Sequence, residues 1–563
     1  MEISKELLAQ RPWLAHYPAG VPAEIAPEHE LTLVGLWRRS RAQHGARPAL
    51  ESFGVRLTYE QLGAAADHVT AWLQQTGLVK GDRVAIMSPN VMAYPAILVG
   101  ILQAGGVVVN VNPLYTAREL EFQIVDAKPR FLFVLENFAA TVSSVADRLD
   151  LEQVVLVAPG DLLGAKGALV NFVSRRVKKS VPKFDLPNAI SFAAALRAAR
   201  GVKAVVVPVE PDDLAILQYT GGTTGSAKGA MLLHRNLAAN IEQVTLWWGP
   251  QLASQESPVM VTALPLYHIF ALTACFWFQM RIGGACLLVA NPRDIAGFVK
   301  LLRKSRFHIM AGVNTLYNIL ADHADIGKVD FSAMLFSVSG GMATQAAVAR
   351  KWRKLTGKAI IEGYGLSETS PVLCSNRPDV EEFSGTVGYP VPSTEISIRD
   401  ASGKPAPMGE AGEICARGPQ VMAGYWDRPM ATEAVMTADG FFRTGDVAIM
   451  LPDGQIKIVD RLKDMIIVSG FNVYPNEVEE VLVEHPKVRE AAVIGRPSAT
   501  TGEEVVAVVV PREEGLTEPD LRQFCRDRLT GYKQPREFIF RDDLPKTNVG
   551  KVLRRSLKDL VGN

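Results

Sequence analysis

Short runs of aliphatic and β-branched residues recur along the chain, and most are apolar on both faces instead of alternating. The runs at 83–88 (RVAIMS), 107–111, 130–135, 154–158, 204–209, 258–264 and 334–338 share this character. It is expected of strands buried in a mostly parallel sheet. Stretches of helical period lie between them, such as 59–76 (YEQLGAAADHVTAWLQQT). The alternation of the two predicts a large α/β protein. The pattern changes late in the chain. A turn at Asp453-Gly454 and a strand over 456–459 lead into the charged run Asp460-Arg461-Leu462-Lys463-Asp464. A compact alternation follows: strand 465–470, helix 475–485, strands 488–495 and 503–511, helix 517–529. The last ~100 residues suit an independent small unit, so a boundary is expected at 461–464.

Length and composition narrow the class without changing this picture. The chain has 563 residues, 48% apolar and 21% charged, which excludes a disordered or fibrous protein. Sixty Lys+Arg against 59 Asp+Glu leave a net charge of +1, so no global basic charge invites nucleic acid. Five cysteines are widely spread with no C-x-x-C, and the nine histidines form no metal-binding motif. The N-terminus (MEISKELLAQRPWL) lacks an apolar secretory core. The most apolar stretch, 269–280, is shorter than the ~20 residues that span a bilayer. A soluble, cytoplasmic protein is expected.

One local charge bias stands out. From Leu162 to Phe184 there are six basic residues and no acidic one. On a helical wheel Leu169, Val170, Val173, Val177 and Val181 share one side, and Arg175, Arg176, Lys178 and Lys179 occupy the rest with Phe172 among them. Such a segment suits either a solvated surface helix packed on the core or a contact with an anionic membrane surface.

The strongest chemical signal is Tyr219-Thr220-Gly221-Gly222-Thr223-Thr224-Gly225-Ser226-Ala227-Lys228, read as a loop between the strand 214–217 and a helix-compatible stretch. Its glycines let the backbone approach an oxyanion, and its hydroxyls and Lys228 suit a polyphosphate. The Walker spacing is absent, since Lys228 follows Ala227 and precedes Gly229. Four more motifs follow in order: GYGLSET at 363–369, FRTGD at 442–446, DRLKD at 460–464 and PKTNVGK at 545–551.

Together the five resemble the adenylate-forming enzymes: acyl-CoA synthetases, peptide adenylation domains and firefly-type luciferases. The stretches NVNPLYTARELE, TALPLYHIFALT, NPRDIAGFVK and VSGFNVYPNEVEEVL are similar to bacterial long-chain fatty-acid–CoA ligases. The resemblance implies a large multi-subdomain N-terminal α/β domain (1–460), a hinge (461–464, at Lys463) and a small mobile C-terminal α+β domain (465–563). It implies ATP, Mg²⁺ and coenzyme A as cofactors or substrates, a fatty acid as acyl donor, and fatty-acid activation ahead of β-oxidation. By matching motif, Thr220, Gly221, Gly222, Thr223, Gly225 and Lys228 would hold the phosphates beside Tyr219. Thr224 and Glu368 would serve the metal. Tyr364 would stack on adenine beside Gly340 and Gly341. Asp446 and Arg461 would bind ribose and α-phosphate. Lys551 would bridge the attacking carboxylate and the phosphate, His268 would steady the acyl-adenylate or gate the acyl path, and Gly470 would approach the pantetheine.

From 259 to 293 there is no Asp or Glu, which disfavours amino-acid substrates because their ammonium would be buried unpaired. Phe270, Leu272, Phe276, Trp277 and Phe278 in that region suit an alkyl chain or plain core. Alternatives are a medium-chain or aryl acyl-CoA ligase, an enzyme loading a carrier protein, a luciferase-like oxygenase and a non-catalytic lipid-binding protein. No nucleic-acid partner is expected. A homodimer is left open, as is a peripheral contact of 162–184 with the inner membrane face.

Overall fold

A computed structural model describes residues 11–26, 31–220, 227–498, 500–547 and 551–561. Two large sheets dominate. The first has five strands in parallel at its centre, Ala285–Leu288, Val259–Thr262, Ile309–Gly312, Phe336–Ser339 and Ile360–Gly365, with Pro48–Ser52 parallel to them on one side. The second runs Lys228–Leu233, Leu214–Thr220, Val107–Val111, Arg83–Met87, Phe131–Leu135, Gln153–Val157, Ile190–Ser191. From Leu214–Thr220 onward that sheet is parallel. One continuous core spans both: Ile86, Val108 and Ile216 of the second sheet belong to it with Val261, Ile309 and Val338 of the first. Burial on both faces explains why these strands read as unbroken apolar runs.

The helix expected over 59–76 is Tyr59–Gln75, opened by a capping box in which Thr58 and Gln61 satisfy each other's backbone N–H groups. The run at 204–209 is not a strand. Val207 N–H bonds to Gln103 O and Val205 N–H to the Gln74 side chain, while Pro208 has no N–H to give a ladder. Past the parallel sheets, Glu395–Arg399, Ala411–Arg417, Phe442–Met450 and Ile456–Arg461 form a four-stranded antiparallel sheet. A separate sheet follows from Ile466–Val468, Phe471–Val473, Val488–Ser498, Gly502–Pro511 and Glu537–Phe540, with its own core. The chain then enters the helix Arg554–Val561.

The basic segment departs from the wheel drawn for it. Ala165–Phe172 is α-helical and Val173–Val177 continues it as a wider π turn, which shifts the phase. The helix docks through small residues: a Cβ on Gly167 would lie 2.2 Å from Gly160 O. Gly167 and Ser174 are therefore buried, while Leu169 (63%), Phe172 (57%) and Val177 (65%) stay exposed beside Arg176, Lys178 and Lys179. Arg175 is held by Glu136 at 2.7 Å. Among the described residues no helix is long and apolar enough to cross a membrane. The five cysteines are free and buried.

Candidate functional site

The site collects at the carboxyl ends of the parallel strands, where open α/β sheets place their ligand crevices. Phe336–Ser339 delivers Gly340 and Gly341, the latter at φ +78°, which favours glycine. A Cβ on Gly340 would meet the Phe270 ring at 3.1 Å and Gly363 O at 3.2 Å, so this strand end lies close to the next. Ile360–Gly365 delivers Tyr364, whose hydroxyl donates to Asp446 Oδ2 at 2.8 Å. Asp446 is buried on Phe442–Met450 and paired in register with Arg461; the Arg461 Nε lies 3.3 Å from Asp446 Oδ1.

The segment carrying His268 is aimed from the other sheet. Asn90 donates to Thr262 O and Leu264 O (both 2.9 Å) and accepts from Leu266 N–H at 2.8 Å. Tyr94 donates to Leu266 O at 3.0 Å and Gln218 to Tyr267 O at 3.1 Å. The Phe270 N–H donates to His268 Nδ1 at 3.3 Å, which leaves the imidazole proton on Nε2. Burial, with the positive charge of Lys551 nearby, pushes the His268 pKa down to about 4. It is thus a neutral donor at physiological pH.

Lys551 arrives from the small C-terminal unit. Thr547 N–H donates to Lys551 O at 2.6 Å and Lys551 N–H to Thr547 Oγ1 at 3.1 Å. The ammonium is partly buried near Arg461, Asp446, Arg554 and Lys463; desolvation and the cation of Arg461 push its pKa down to about 7. Among the described residues no carboxylate forms an ion pair with it, whereas its neighbours Lys546 and Arg554 are both paired. A cation placed this way is completed by an anion.

The flanks of the glycine-rich segment 219–228 have a different setting from the one expected. Leu214–Thr220 and Lys228–Leu233 pair antiparallel, with Thr220 opposite Lys228. The loop joins two strands, and the helix starts only at His234. Alternating burial of Ala230 and Leu232 against the sheet extends the strand past the loop. Gly221, Gly222, Thr223, Thr224 and Gly225 lie outside the described residues. Tyr219 anchors the hairpin: its hydroxyl donates to Asp126 at 2.6 Å, and Arg428 donates to the other Asp126 oxygen at 2.6 Å.

Lys228 Nζ lies 5.0 Å from the Tyr425 ring centre, and the Tyr425 hydroxyl donates to Glu368 Oε1 at 2.8 Å. Glu368 is buried, which raises its pKa, and it feels both Arg461 and Asp446. Lys228, Glu368, Asp446, Arg461, Tyr364, His268 and Lys551 therefore form one connected cluster. Gly470 is elsewhere: it sits at φ +84° in an exposed turn where Ser469 N–H bonds to Thr501 O and Phe471 stacks on Tyr532. Of the apolar candidates, Leu272, Phe276, Trp277 and Phe278 are fully buried core, and Phe270 alone borders the cluster.

Several contributors carry no local mark. Asp126 lies at the end of an ordinary amphipathic helix, and Tyr425 lies in the two-residue strand Gly424–Tyr425, paired antiparallel with Met231 and Ala230. Glu362, directly before the GYGLSET motif, is buried, accepts from Thr344 N–H at 3.0 Å and is pushed up to about 8 by desolvation. Among the described residues no three metal-ligating side chains converge.

Residues 37–426 match the AMP-binding enzyme family and 477–551 match the AMP-binding enzyme C-terminal domain. The chain belongs to the AMP-binding enzyme family. It is 50% identical over 549 residues to a long-chain-fatty-acid–CoA ligase of Escherichia coli O6:H1, covering 97% of this chain and 98% of that protein. A long-chain-fatty-acid–CoA ligase of Bacillus subtilis is 36% identical over 552 residues, 98% of each. The ATP-bound crystal structure of MatB from Rhodopseudomonas palustris superposes with a TM-score of 0.81 at 30% identity, covering 94% of this chain and 99% of that one. The fold is that of the adenylate-forming enzymes, with a large N-terminal and a small C-terminal domain.

The depressed basicity of His268 is directly measurable. Histidine-selective ¹⁵N NMR should show a neutral imidazole protonated on Nε2, with a titration midpoint at about 4. A midpoint near the ordinary 6.5 would contradict the burial that places it in the cluster.

Proposed function

We propose that the protein ligates long-chain fatty acids to coenzyme A through an acyl-adenylate, ahead of β-oxidation. The observation that carries this is the Lys551 ammonium, which among the described residues forms no ion pair and lies near Asp446, Arg461 and His268, in a chain half identical to ligases of that name. In the first step a fatty-acid carboxylate oxygen bonds to the α-phosphorus of ATP, and the bond to pyrophosphate breaks. One anion attacks another, so the barrier is lowered by cations and preorganised donors rather than by a nucleophilic side chain. Lys551 supplies the charge between the two anions. Its lowered pKa is a property of the free cluster, and nucleotide phosphates restore its proton. Arg461 adds donors near ribose and α-phosphate, Asp446 receives the ribose hydroxyls, and Tyr364 with Gly340 and Gly341 forms the adenine wall. Lys228 and residues 220–225 hold the outer phosphates.

Neutral His268 donates from Nε2 to the acyl-adenylate. Mg²⁺ fits this donor set: a hard cation that keeps its waters binds through one or two carboxylates plus phosphate oxygens, and needs no all-protein cage. Glu368 and, by its matching motif, Thr224 would hold that ion, which would neutralise phosphate charge when bound. In the second step the CoA sulfur bonds to the acyl carbon and the bond to AMP breaks. The Ser469–Phe471 turn lies apart from the cluster, which supports a rotation about Lys463 that withdraws Lys551 and brings Gly470 to the pantetheine.

The exposed apolar and basic patch of 162–184 fits the same substrate, which partitions into membranes. Leu169, Phe172 and Val177 would enter the interface of the inner leaflet while Arg176, Lys178 and Lys179 meet its anionic headgroups.

The direct test is CoA-dependent AMP release across fatty acids of increasing length and aryl acids, with the highest kcat/KM expected for long chains. A preference for aryl acids, or release with a carrier protein and not CoA, would replace the proposal. Lys551→Ala should reduce adenylation by at least about a hundredfold while thiolysis of supplied acyl-AMP survives; equal loss of both would remove its assigned role. Neutralising Arg176, Lys178 and Lys179 together should weaken binding to anionic phospholipid vesicles by at least about tenfold, and unchanged binding would sink the membrane contact.

A further inference from the structure

We infer that Asp460 and Arg554 form a latch between the two domains that favours the arrangement presenting Lys551, an inference resting on the two-step reading above. The helix Pro475–Glu484 belongs to the small domain. Its N-cap, Tyr474, offers no capping side chain, and Pro475 at its first position has no N–H. The next N–H, of Asn476, donates to Asp460 Oδ2 at 2.8 Å, and Asn476 Nδ2 reaches Val459 O at 3.2 Å. Asp460 and Val459 lie on Ile456–Arg461, in the antiparallel sheet of the large domain. One domain therefore caps a helix of the other, with a carboxylate at the positive end of the helix dipole.

Arg554 completes the junction three residues beyond Lys551. Its guanidinium donates to Glu479 at 2.8 Å and to Asn476 Oδ1 at 2.7 Å, and lies 3.5 Å from Asp464 and 3.9 Å from Asp460. The Asp460 side chain is wholly buried. On the other side of Lys551, Lys546 pairs with Glu490 at 2.6 Å and Asp543 at 3.1 Å. The lysine segment is thus tied to the small domain at both ends, and to the large domain through Asp460.

Residues 461–464 lie between the two halves of this junction. Rotation there separates Asp460 from Asn476 and from Arg554, uncapping the helix and leaving the buried carboxylate only the adjacent Arg461 N–H at 2.7 Å. The latch therefore stabilises the arrangement with Lys551 at the cluster. Asp460 and Arg554 are positioning residues that act through Lys551.

The test uses the full-length protein and both half-reactions: fatty-acid-dependent exchange of pyrophosphate into ATP, and thiolysis of supplied acyl-AMP by CoA. Asp460→Asn and Arg554→Gln should each slow exchange about tenfold, through kcat with the KM for ATP nearly unchanged. Thiolysis should be unchanged or faster, and Arg554→Lys should recover most of the exchange. A general folding defect lowers both half-reactions, so thermal midpoints are measured and the split is read on whichever variant keeps its midpoint. Equal loss of both half-reactions, or undiminished exchange, would overturn the latch. Failure of the underlying reading has a different signature: exchange persisting in Lys551→Ala.

Discussion

The organising constraint is a lysine ammonium taken out of water beside like charges. Lys551 loses solvation and sits near Arg461, Arg554 and Lys463. Such a placement is unfavourable alone, because a desolvated cation without a counter-ion shifts toward its neutral form. The two arginines nearby and Lys546 are paired with carboxylates: Arg461 with Asp446, Arg554 with Glu479, Lys546 with Glu490. Among the described residues Lys551 forms no ion pair, although the Asp446 carboxylate lies near enough to favour its charge.

The two large sheets make that placement possible. Their shared core fixes the strand ends, and polar side chains bridge them where the apolar packing stops. Asn90, Tyr94 and Gln218 leave the second sheet to bond backbone between Thr262 and Tyr267, which orients His268. These bonds are buried, so each lost partner would leave an unsatisfied polar group, costing about 1–3 kcal/mol. The Asp126 link between Tyr219 and Arg428 does the same for the end of the strand Leu214–Thr220. The sheets hold Tyr364, Asp446, Arg461 and His268, and the lysine is brought by the small domain, which meets them through polar contacts such as Asn476 with Asp460.

Much of this was legible along the chain. Buried parallel strands announced themselves as apolar runs, the change of pattern near 461–464 coincided with the start of a new sheet, and motif residues such as Tyr364, Asp446, Arg461 and Lys551 converge in space. The misreadings have physical causes. The run at 204–209 is apolar enough for a strand but finds no ladder partner. The helix-compatible stretch that begins at Met231 is helical from His234, but its first three residues, Met231 to Leu233, continue a strand paired antiparallel with Leu214–Thr220. For 162–184 the apolar side suited either the core or a membrane; a glycine contact sets the docking face, and Leu169, Phe172 and Val177 stay exposed.

The sequence by itself determined the class of chemistry, since oxyanion-binding loops and charged motifs are local signatures whose order along the chain is their information. It also determined the α/β architecture, because burial on both faces leaves its trace in composition. Only the tertiary structure decided which charges are already paired and which is free, which apolar residues are core and which are exposed, and that Asp460 caps a helix belonging to the other domain. Those properties depend on distances between residues remote in the chain, as for Asp126 and Arg428, 302 positions apart. Local residue type carries no record of such distances.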